Sequence, residues 1–207
     1  ASVMERASGE RFDRLMTRLV LKPLKLDACY NWSGCSPAAV SRAVVLYRST
    51  GEVAKDDLKG QVPGCLVTTR AIADACELGL YPLGSNGALF SPQGGLRISM
   101  RDLAKVGQML ARQGKGFLKP ASYAELVRPQ WRFDGTNGLG EDGTANGFFC
   151  AYGLAIQTIE SGGAQCRDAL LGDGIARLGH SGDAYGLKSG LWLDPVSGKG
   201  LAYFTTE

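Results

Sequence analysis

The chain has 207 residues, of which 23 are Lys or Arg, 20 are Asp or Glu and one is His. At ~150 residues per domain, this length predicts one domain. A hydrophobic fraction of 44% with 21% charged residues excludes a disordered chain. The net charge of +3, without a basic block, gives no footprint for nucleic acid, and no apolar run approaches the ~18 residues of a membrane span. We therefore expect neither nucleic acid nor a membrane as a partner.

The six cysteines fall into three near-neighbour pairs and predict three disulfides. The pairing rests on proximity in the sequence, because six cysteines allow 15 connectivities. Disulfides would place the protein in the periplasm or outside the cell; the alternative is six reduced, buried cysteines in the cytosol. One His and no Cys-x-x-Cys pair predict no metal site, and we expect no cofactor. The expected pairs are Cys29–Cys35, Cys65–Cys76 and Cys150–Cys166.

The first 30 residues have the pattern of two helices. Gly9 is a candidate C-terminal cap of the first helix, on which Val3, Met4 and Ala7 share one face. A second helix is expected over residues 10–20, and Pro23 ends it. Its apolar residues follow the spacing of one buried face. These residues are Phe12, Leu15, Met16, Leu19 and Val20.

The stretch from residue 27 to residue 95 contains few regular elements. Residues 27–41 have the composition of a loop, and residues 43–47 form an apolar run that could be a strand. Residues 51–95 are predicted to be irregular, with a helical turn around residues 72–78. Loops of this length usually carry function or line a site.

Two further helices are expected in the middle of the chain. Ser99 is a good N-terminal cap, with Asp102 three residues on in capping-box spacing. Pro120 suits the first turn of a short helix that Pro129 ends. Residues 132–147 are rich in Gly and Asp and predict a surface loop.

The last 60 residues predict an antiparallel meander. Strands are expected over residues 152–160, 175–179, 187–193 and 201–206, with a turn at 194–198. Helices followed by such a sheet favour the α+β class, an antiparallel sheet with packed helices. We expect a helical and loop region over about 1–147 and a sheet region over about 148–207.

One segment between these strands carries chemistry, Gly179-His180-Ser181-Gly182-Asp183. One interpretation is a nucleophile elbow, Gly-x-Ser-x-Gly, with Ser181 as the nucleophile. Asp183 at the fifth position, where the elbow has Gly, opposes this interpretation. The only His is the neighbour of Ser181, and because neighbouring side chains of a strand point to opposite faces, His180 cannot easily act as the base for Ser181. The other interpretation is a strand that lines an active site whose nucleophile lies elsewhere.

Several segments, in order, resemble the serine β-lactamase and penicillin-binding-protein superfamily, closest to its class C-like esterase and D-aminopeptidase branch. The segment from Glu5 through Gly9 to Phe12 resembles the family's Glu-x-x-x-Gly-x-x-Phe junction. Residues 23–26 resemble its Pro-Leu-Gly-Met turn, with Lys25 where Gly is usual. Residues 94–104 resemble its Gly-Gly-Leu…Ser/Thr…Asp-Leu-Ala helix start. Residues 179–182 resemble the third catalytic motif, which is Lys-Thr-Gly in β-lactamases and often His-x-Gly in this branch.

Two motifs of that superfamily are absent from the 207 residues. No Ser has Lys three residues on, and no Tyr-x-Asn or Ser-x-Asn occurs. In the family a serine of Ser-x-x-Lys is acylated, and the lysine helps to activate it. Both motifs lie N-terminal to the Glu-x-x-x-Gly-x-x-Phe junction. The resemblance therefore implies a partial β-lactamase/DD-peptidase-like fold over residues 1–207, with a missing N-terminal segment of the same protein as its partner.

The resemblance also implies roles for the third motif. The Asp183 backbone N–H would be one of two oxyanion-hole donors, and Gly182 would let the acyl group approach the backbone. Ser181 could hydrogen-bond a carboxylate or carbonyl of the substrate. His180 stands where β-lactamases have Lys and could hydrogen-bond a tyrosine of the site or gain charge at lower pH; its alternative is a satisfied histidine without a role. Asn86 could line the cleft, although Ser-Asn-Gly runs are more often turns.

The implied activity is that of a serine hydrolase that forms an acyl-enzyme on a small ester, amide or β-lactam, with this chain inactive alone. The alternative is a non-catalytic remnant or a binding module with the same fold. The loop aromatics Trp32, Tyr81 and Trp131 could contact substrate or could be packing residues. The sequence does not discriminate among the three substrate types.

Overall fold

The computed structural model describes residues 1–32, 34–64, 77–137, 147–163 and 165–206. The α-helices of this part are α1 Ser2–Ser8, α2 Phe12–Met16, α3 Pro37–Ser41, α4 Met100–Ala111 and α5 Pro120–Val127, with a π-helix at Thr17–Leu21. The strands are β1 Cys29–Tyr30, β2 Leu46–Tyr47, β3 Val53–Lys55, β4 Leu96–Arg97, β5 Trp131–Arg132, β6 Ala151–Tyr152, β7 Gln157–Ile159, β8 Arg177–Ala184, β9 Leu187–Leu193 and β10 Gly200–Thr206.

The first helix ends where the sequence predicts, and its buried residue is Glu5. Gly9 adopts the left-handed conformation, with φ of 68°, and its N–H donates to the Glu5 carbonyl as a C-terminal cap. Val3 is 81% exposed, whereas Glu5 is 1% exposed. The face shared by Val3, Met4 and Ala7 is exposed, and the buried position of the helix is taken by a carboxylate with hydrogen-bond partners of its own.

The second helix changes its winding halfway along. The Lys22 N–H donates to the Thr17 carbonyl, an i to i+5 bond of a π-helix. The wider turn shifts the buried face, so that Leu19 is exposed and Leu21 is buried. Phe12 and Leu15 are buried as predicted, and the error in the second half follows from the changed period.

The turn after this helix contains a strained residue. Lys25 has φ of 54°, in the left-handed region that glycine adopts without steric cost. This is the position at which the resembling turn has Gly. Lys25 therefore adopts the backbone conformation expected of Gly at this position, at the cost of local strain.

Replacing Lys25 by Gly should relieve that strain. We expect Lys25→Gly to be about 1 kcal/mol more stable than Lys25→Ala, because both remove the side chain but only Gly removes the Cβ clash. Urea denaturation followed by circular dichroism measures the difference. Equal stability of the two variants would contradict the assigned backbone conformation.

The chain divides into two compact units. The first comprises Ala1–Asp102, Ala184–Leu187 and Thr206–Glu207, and the second comprises Leu103–Asp183 and Lys188–Thr205. Within the first unit, Phe12 and Tyr30 pack with Leu89 and Phe90, both of which are 1% exposed. Leu89 and Phe90 belong to the stretch 51–95 predicted to be irregular, so a segment outside helices and strands supplies core residues. The helical turn expected around residues 72–78 lies mostly outside the described residues.

Short elements interrupt the predicted loops of the first unit. Residues 27–41 contain β1 and α3, where Ser36 accepts from the Ala39 N–H at 3.0 Å and Pro37 occupies the first helical turn. Strand β1 pairs with β4, and β2 pairs with β3, both antiparallel. The expected strand over residues 43–47 is confined to β2.

The central helix is confirmed together with its cap. Ser99 Oγ accepts from the Asp102 N–H at 3.1 Å at the start of α4. Asp102 is buried, and its carboxylate accepts from the Asp27 N–H at 2.9 Å, which ties the start of the helix to the preceding loop. Helix α5 also begins at Pro120 and ends before Pro129, as predicted.

The second unit contains a six-stranded sheet in the order β10-β9-β8-β7-β6-β5. Neighbours in sequence are neighbours in space, which confirms the predicted meander and the α+β class. The strand expected over residues 152–160 is two strands, because residues 153–156 turn back and Ala155 has φ of 56°. Ile175 lies outside β8, which continues through the motif to Ala184.

Candidate active site

The motif Gly179–Asp183 lies inside β8 and is not a loop between strands. A tight turn of Tyr185 and Gly186, with φ of 59° and 74°, connects β8 to β9. Two consecutive left-handed residues match the twist of a two-residue hairpin. The hairpin therefore holds the motif on a regular, paired backbone.

The first glycine of the motif is required by packing. Gly179 is buried and pairs with Gln157 of β7. A Cβ at this position would overlap the Leu191 carbonyl and approach the Trp192 ring. Gly182 faces Ser189, whose hydroxyl oxygen a Cβ would contact. Both glycines thus permit close approach within the β8–β9 hairpin.

His180 is exposed, and both of its ring nitrogens have partners. Nε2 lies 2.8 Å from the hydroxyl oxygen of Tyr152 on β6, and Nδ1 lies beside the Ser181 carbonyl oxygen. The Phe149 ring lies 6.2 Å from both the Tyr152 and the His180 rings, measured between centroids. Burial raises the pKa of the Tyr152 hydroxyl above its ordinary value.

An open, mainly apolar cleft of about 250 Å³ borders the motif within the second unit. Helix α4 contributes Leu103, Val106 and Leu110, and the β6–β7 turn contributes Ala155 and Ile156. The strand wall consists of residues 179–182 and 189–191. His180, Ser181 and Gly182 therefore all border this cleft, and their roles toward a substrate stay predictions.

Two predicted site residues have other contacts. The Asp183 carboxylate is exposed and pairs with Lys188 Nζ at 2.5 Å; the role expected of this residue concerns its backbone N–H and stays a prediction. Asn86 belongs to the first unit, where its side-chain oxygen accepts from the Ala88 N–H at 3.0 Å. That contact is the turn geometry given as the alternative for Asn86, and the proposed substrate contact stays a prediction.

The loop aromatics differ in their surroundings. Trp32 is buried and donates from Nε1 to Asp56 at 3.0 Å, and Asp56 pairs with Arg97. Tyr81 donates to the buried Glu5 carboxylate at 2.7 Å. Trp131 lies in β5, at an edge of the six-stranded sheet. The contacts of Trp32 and Tyr81 are those of packing residues.

Two of the three expected disulfides lie in the described part of the chain. Cys29 bonds to Cys35 and Cys150 bonds to Cys166, with Cα–Cα distances of 5.1 and 6.0 Å. The Cys65–Cys76 pair lies outside the described residues. Among the residues that are described, no group of three His, Cys, Asp or Glu side chains could hold a metal ion. None of the described helices is long and apolar enough to cross a membrane.

Sequence reasoning missed Tyr152 and Phe149. The sequence predicts Tyr152 only as a position in a long strand, and it assigns no role to Phe149. Their proximity to His180 depends on the chain reversal between β6 and β7 and on the pairing of β7 with β8. No local sequence signal marks either residue, because Tyr152 reaches His180 across the intervening strand β7.

A family model described as Beta-lactamase matches residues 1–207. Among solved structures, the chain is similar to a crystal structure of a D-stereospecific amidohydrolase from Streptomyces sp., with 16% sequence identity and a TM-score of 0.53. The match covers 99% of this chain and 46% of that one, so this chain spans about half the length of that protein. At this identity the likeness concerns the fold alone. No curated protein matches the chain significantly.

Proposed function

The chain belongs to the Beta-lactamase family, and from that premise we propose that it is the C-terminal portion of a serine hydrolase that forms an acyl-enzyme on a small ester, amide or β-lactam. Residues 1–207 would form a single partial domain. The acylated serine, in a Ser-x-x-Lys, would lie in a preceding segment that completes the site. The observation that carries the proposal is the placement of His180, Ser181 and Gly182 on one strand beside an open cleft.

The third motif would supply binding and electrostatic groups. The Asp183 backbone N–H would stabilise the oxyanion, an interaction worth roughly 3–4 kcal/mol per donor. Gly182 would leave room for the acyl group, and Ser181 would hydrogen-bond a carbonyl or carboxylate of the substrate. Asn86 would bind substrate as well. His in place of Lys at residue 180 favours an ester or peptide substrate over a β-lactam.

Ser181 itself is a poor candidate for the nucleophile. Both His180 nitrogens are engaged, one by the Tyr152 hydroxyl and the other by the Ser181 backbone carbonyl. A general base must reach the hydroxyl proton that it removes. The contacts of His180 therefore favour a nucleophile supplied by another segment.

The disulfides indicate the cellular compartment in which the protein acts. The Cys29–Cys35 and Cys150–Cys166 bonds would persist in an oxidising environment. We accordingly propose that the protein acts in the periplasm or outside the cell.

The second candidate is a non-catalytic remnant or binding module. It is favoured by one observation, the absence of Ser-x-x-Lys, Tyr-x-Asn and Ser-x-Asn from the 207 residues. The cleft could then bind a small molecule without forming a covalent bond. The gene upstream of the codon for Ala1 discriminates the two, since an open reading frame with Ser-x-x-Lys and then Tyr-x-Asn is expected only for the hydrolase.

Acylation provides the direct test. A fluorophosphonate or a labelled penicillin should modify the longer gene product and leave the 207-residue chain unmodified, because the nucleophile lies in the added segment. Ser181→Ala in the longer product separates the two roles of this residue: it should slow labelling, because a substrate contact is lost, but should retain the label at saturation. Failure of the longer product to react would favour the binding module, and labelling of Ser181 would return the nucleophile to this strand.

A further inference from the structure

The contact between Tyr152 and His180 crosses a strand. Tyr152 pairs with Gln157 of β7, and Gln157 pairs with Gly179 of β8, so β7 lies between the two residues. The Tyr152 hydroxyl oxygen nevertheless lies 2.8 Å from His180 Nε2. The two rings meet edge to face, with centroids 5.6 Å apart and planes at 81°. The tyrosine thus contacts His180 at a defined atom and angle.

The second nitrogen of His180 determines which atom carries the proton. Nδ1 lies beside the Ser181 carbonyl oxygen, which can only accept a hydrogen bond. Nδ1 must therefore carry a hydrogen. A neutral imidazole has one N–H, so Nε2 is then a bare acceptor. In the neutral ring the Tyr152 hydroxyl is therefore the donor in the contact with Nε2, whereas an imidazolium would donate from Nε2 to the hydroxyl oxygen.

The surroundings are consistent with that direction of donation. Burial raises the pKa of Tyr152, so its hydroxyl keeps the proton that it donates. Among the described residues, Phe149 is the further aromatic ring near both, and it carries no charge. The carboxylate of Asp183, three residues further along β8, is paired with Lys188. The opposite tautomer would place the bare Nδ1 against a carbonyl oxygen, with two acceptors in contact.

We propose that Tyr152 is a positioning residue that selects, for the neutral form of His180, the tautomer protonated at Nδ1 and fixes the ring at the edge of the cleft. The consequence for the reaction rests on the proposed function, because His180 acts on substrate only if the cleft is an active site. With both nitrogens held by the protein, the ring has one orientation. Second-layer contacts of this kind orient functional histidines in metal sites, where their loss costs ~10–100-fold in affinity or activity.

The single histidine makes the tautomer directly measurable. In the ¹⁵N-labelled 207-residue chain, the long-range ¹H–¹⁵N spectrum of the imidazole comes from His180 alone. We expect an N–H type signal for Nδ1 and a bare, hydrogen-bonded signal for Nε2. A proton on Nε2 of the neutral ring, with Nδ1 bare, would overturn the proposal without any variant.

A matched pair of variants tests whether the hydroxyl of Tyr152 is the donor to Nε2. Tyr152→Phe should move the Nε2 signal downfield, because the exposed nitrogen would then accept only from water, a weaker donor than the tyrosine hydroxyl. Tyr123→Phe on α5 is the control, because Tyr123 is also partly buried with a pKa raised by burial, and it should leave the signal unchanged. The amide spectrum shows whether each variant is folded. An unchanged Nε2 signal in folded Tyr152→Phe would refute the assignment.

Kinetics separate this proposal from the function on which it rests. In the longer gene product, Tyr152→Phe should lower kcat about tenfold with little change in KM, because it acts through the orientation of His180. If the tautomer is as expected and no acylation occurs, the hydrolase assignment fails and the positioning of His180 stands. If acylation occurs and Tyr152→Phe leaves kcat unchanged, Tyr152 has no positioning role in the reaction.

Discussion

Replacing Glu5 by Ala should lower the free energy of unfolding by about 3–5 kcal/mol. Glu5 is 1% exposed, and its carboxylate accepts from the Phe12 N–H, the Tyr81 hydroxyl and the Gly84 N–H at 2.7–2.8 Å. Hydrogen bonds to a charged group contribute ~1.5–3 kcal/mol each, and a buried donor left without a partner costs ~1–3 kcal/mol. Glu5→Gln should cost about 2 kcal/mol, because the amide group cannot accept from the Gly84 N–H.

The control for Glu5 is a glutamate in the same segment with a surface partner. Glu10 pairs with Arg18 at 2.7 Å, and the Arg18 side chain is 58% exposed. Exposed pairs of this kind contribute ~0–1 kcal/mol, so Glu10→Ala should change stability little. Urea denaturation of the three variants measures the differences. A cost below 1 kcal/mol for Glu5→Ala would show that the carboxylate does not hold the 81–86 segment against α1 and α2.

Removing the Cys150–Cys166 disulfide should destabilise the chain by about 3 kcal/mol. The bond joins residues 16 apart in the sequence, and closing a loop of that size in the unfolded chain corresponds to ~3 kcal/mol. It also fixes the chain next to β6, which carries Tyr152. Loss of the disulfide in Cys150→Ala/Cys166→Ala should therefore broaden the imidazole signal of His180 as well as lower stability.

The shorter disulfide is the matched comparison. Cys29 and Cys35 are six residues apart, and the same loop-closure argument gives about 2 kcal/mol for their bond. The double alanine variant at these positions should be the more stable of the two and should leave the His180 signal unchanged. The reverse order of stability would mean that native packing, and not loop closure, dominates these bonds. A count of free thiols under denaturing conditions tests all three predicted pairs, including Cys65–Cys76, and six free thiols would reject them.

The first junction of the resemblance has a physical explanation in the fold. In the Glu-x-x-x-Gly-x-x-Phe segment, Gly9 ends α1 in the left-handed conformation, and the Glu5 carboxylate accepts from the Phe12 N–H at the start of α2. The spacing is therefore that of a helix end and the next helix start joined by one carboxylate. A catalytic role is not needed to explain these three residue types.

What the sequence determined by itself depends on signals within a few residues. Gly9, Ser99 and Pro120 mark helix ends through their own backbone preferences, and the structure has helix boundaries at all three. The meander was predictable because alternating segments separated by short turns pair with their neighbours. The segment Gly179–Gly182 was found from residue types alone.

Only the tertiary structure decided the features that join distant parts of the chain. Tyr152 and His180 are 28 residues apart, and Glu5 and Tyr81 are 76 residues apart. The π-turn that buries Leu21 and exposes Leu19 changes the period on which the helix prediction depended. Caps and turns are encoded by a residue's own conformational preferences, whereas a buried carboxylate or a histidine's partner is selected by which strands and loops pack together. The motif of the candidate site can therefore be identified from the sequence, whereas the orientation of His180 depends on the fold.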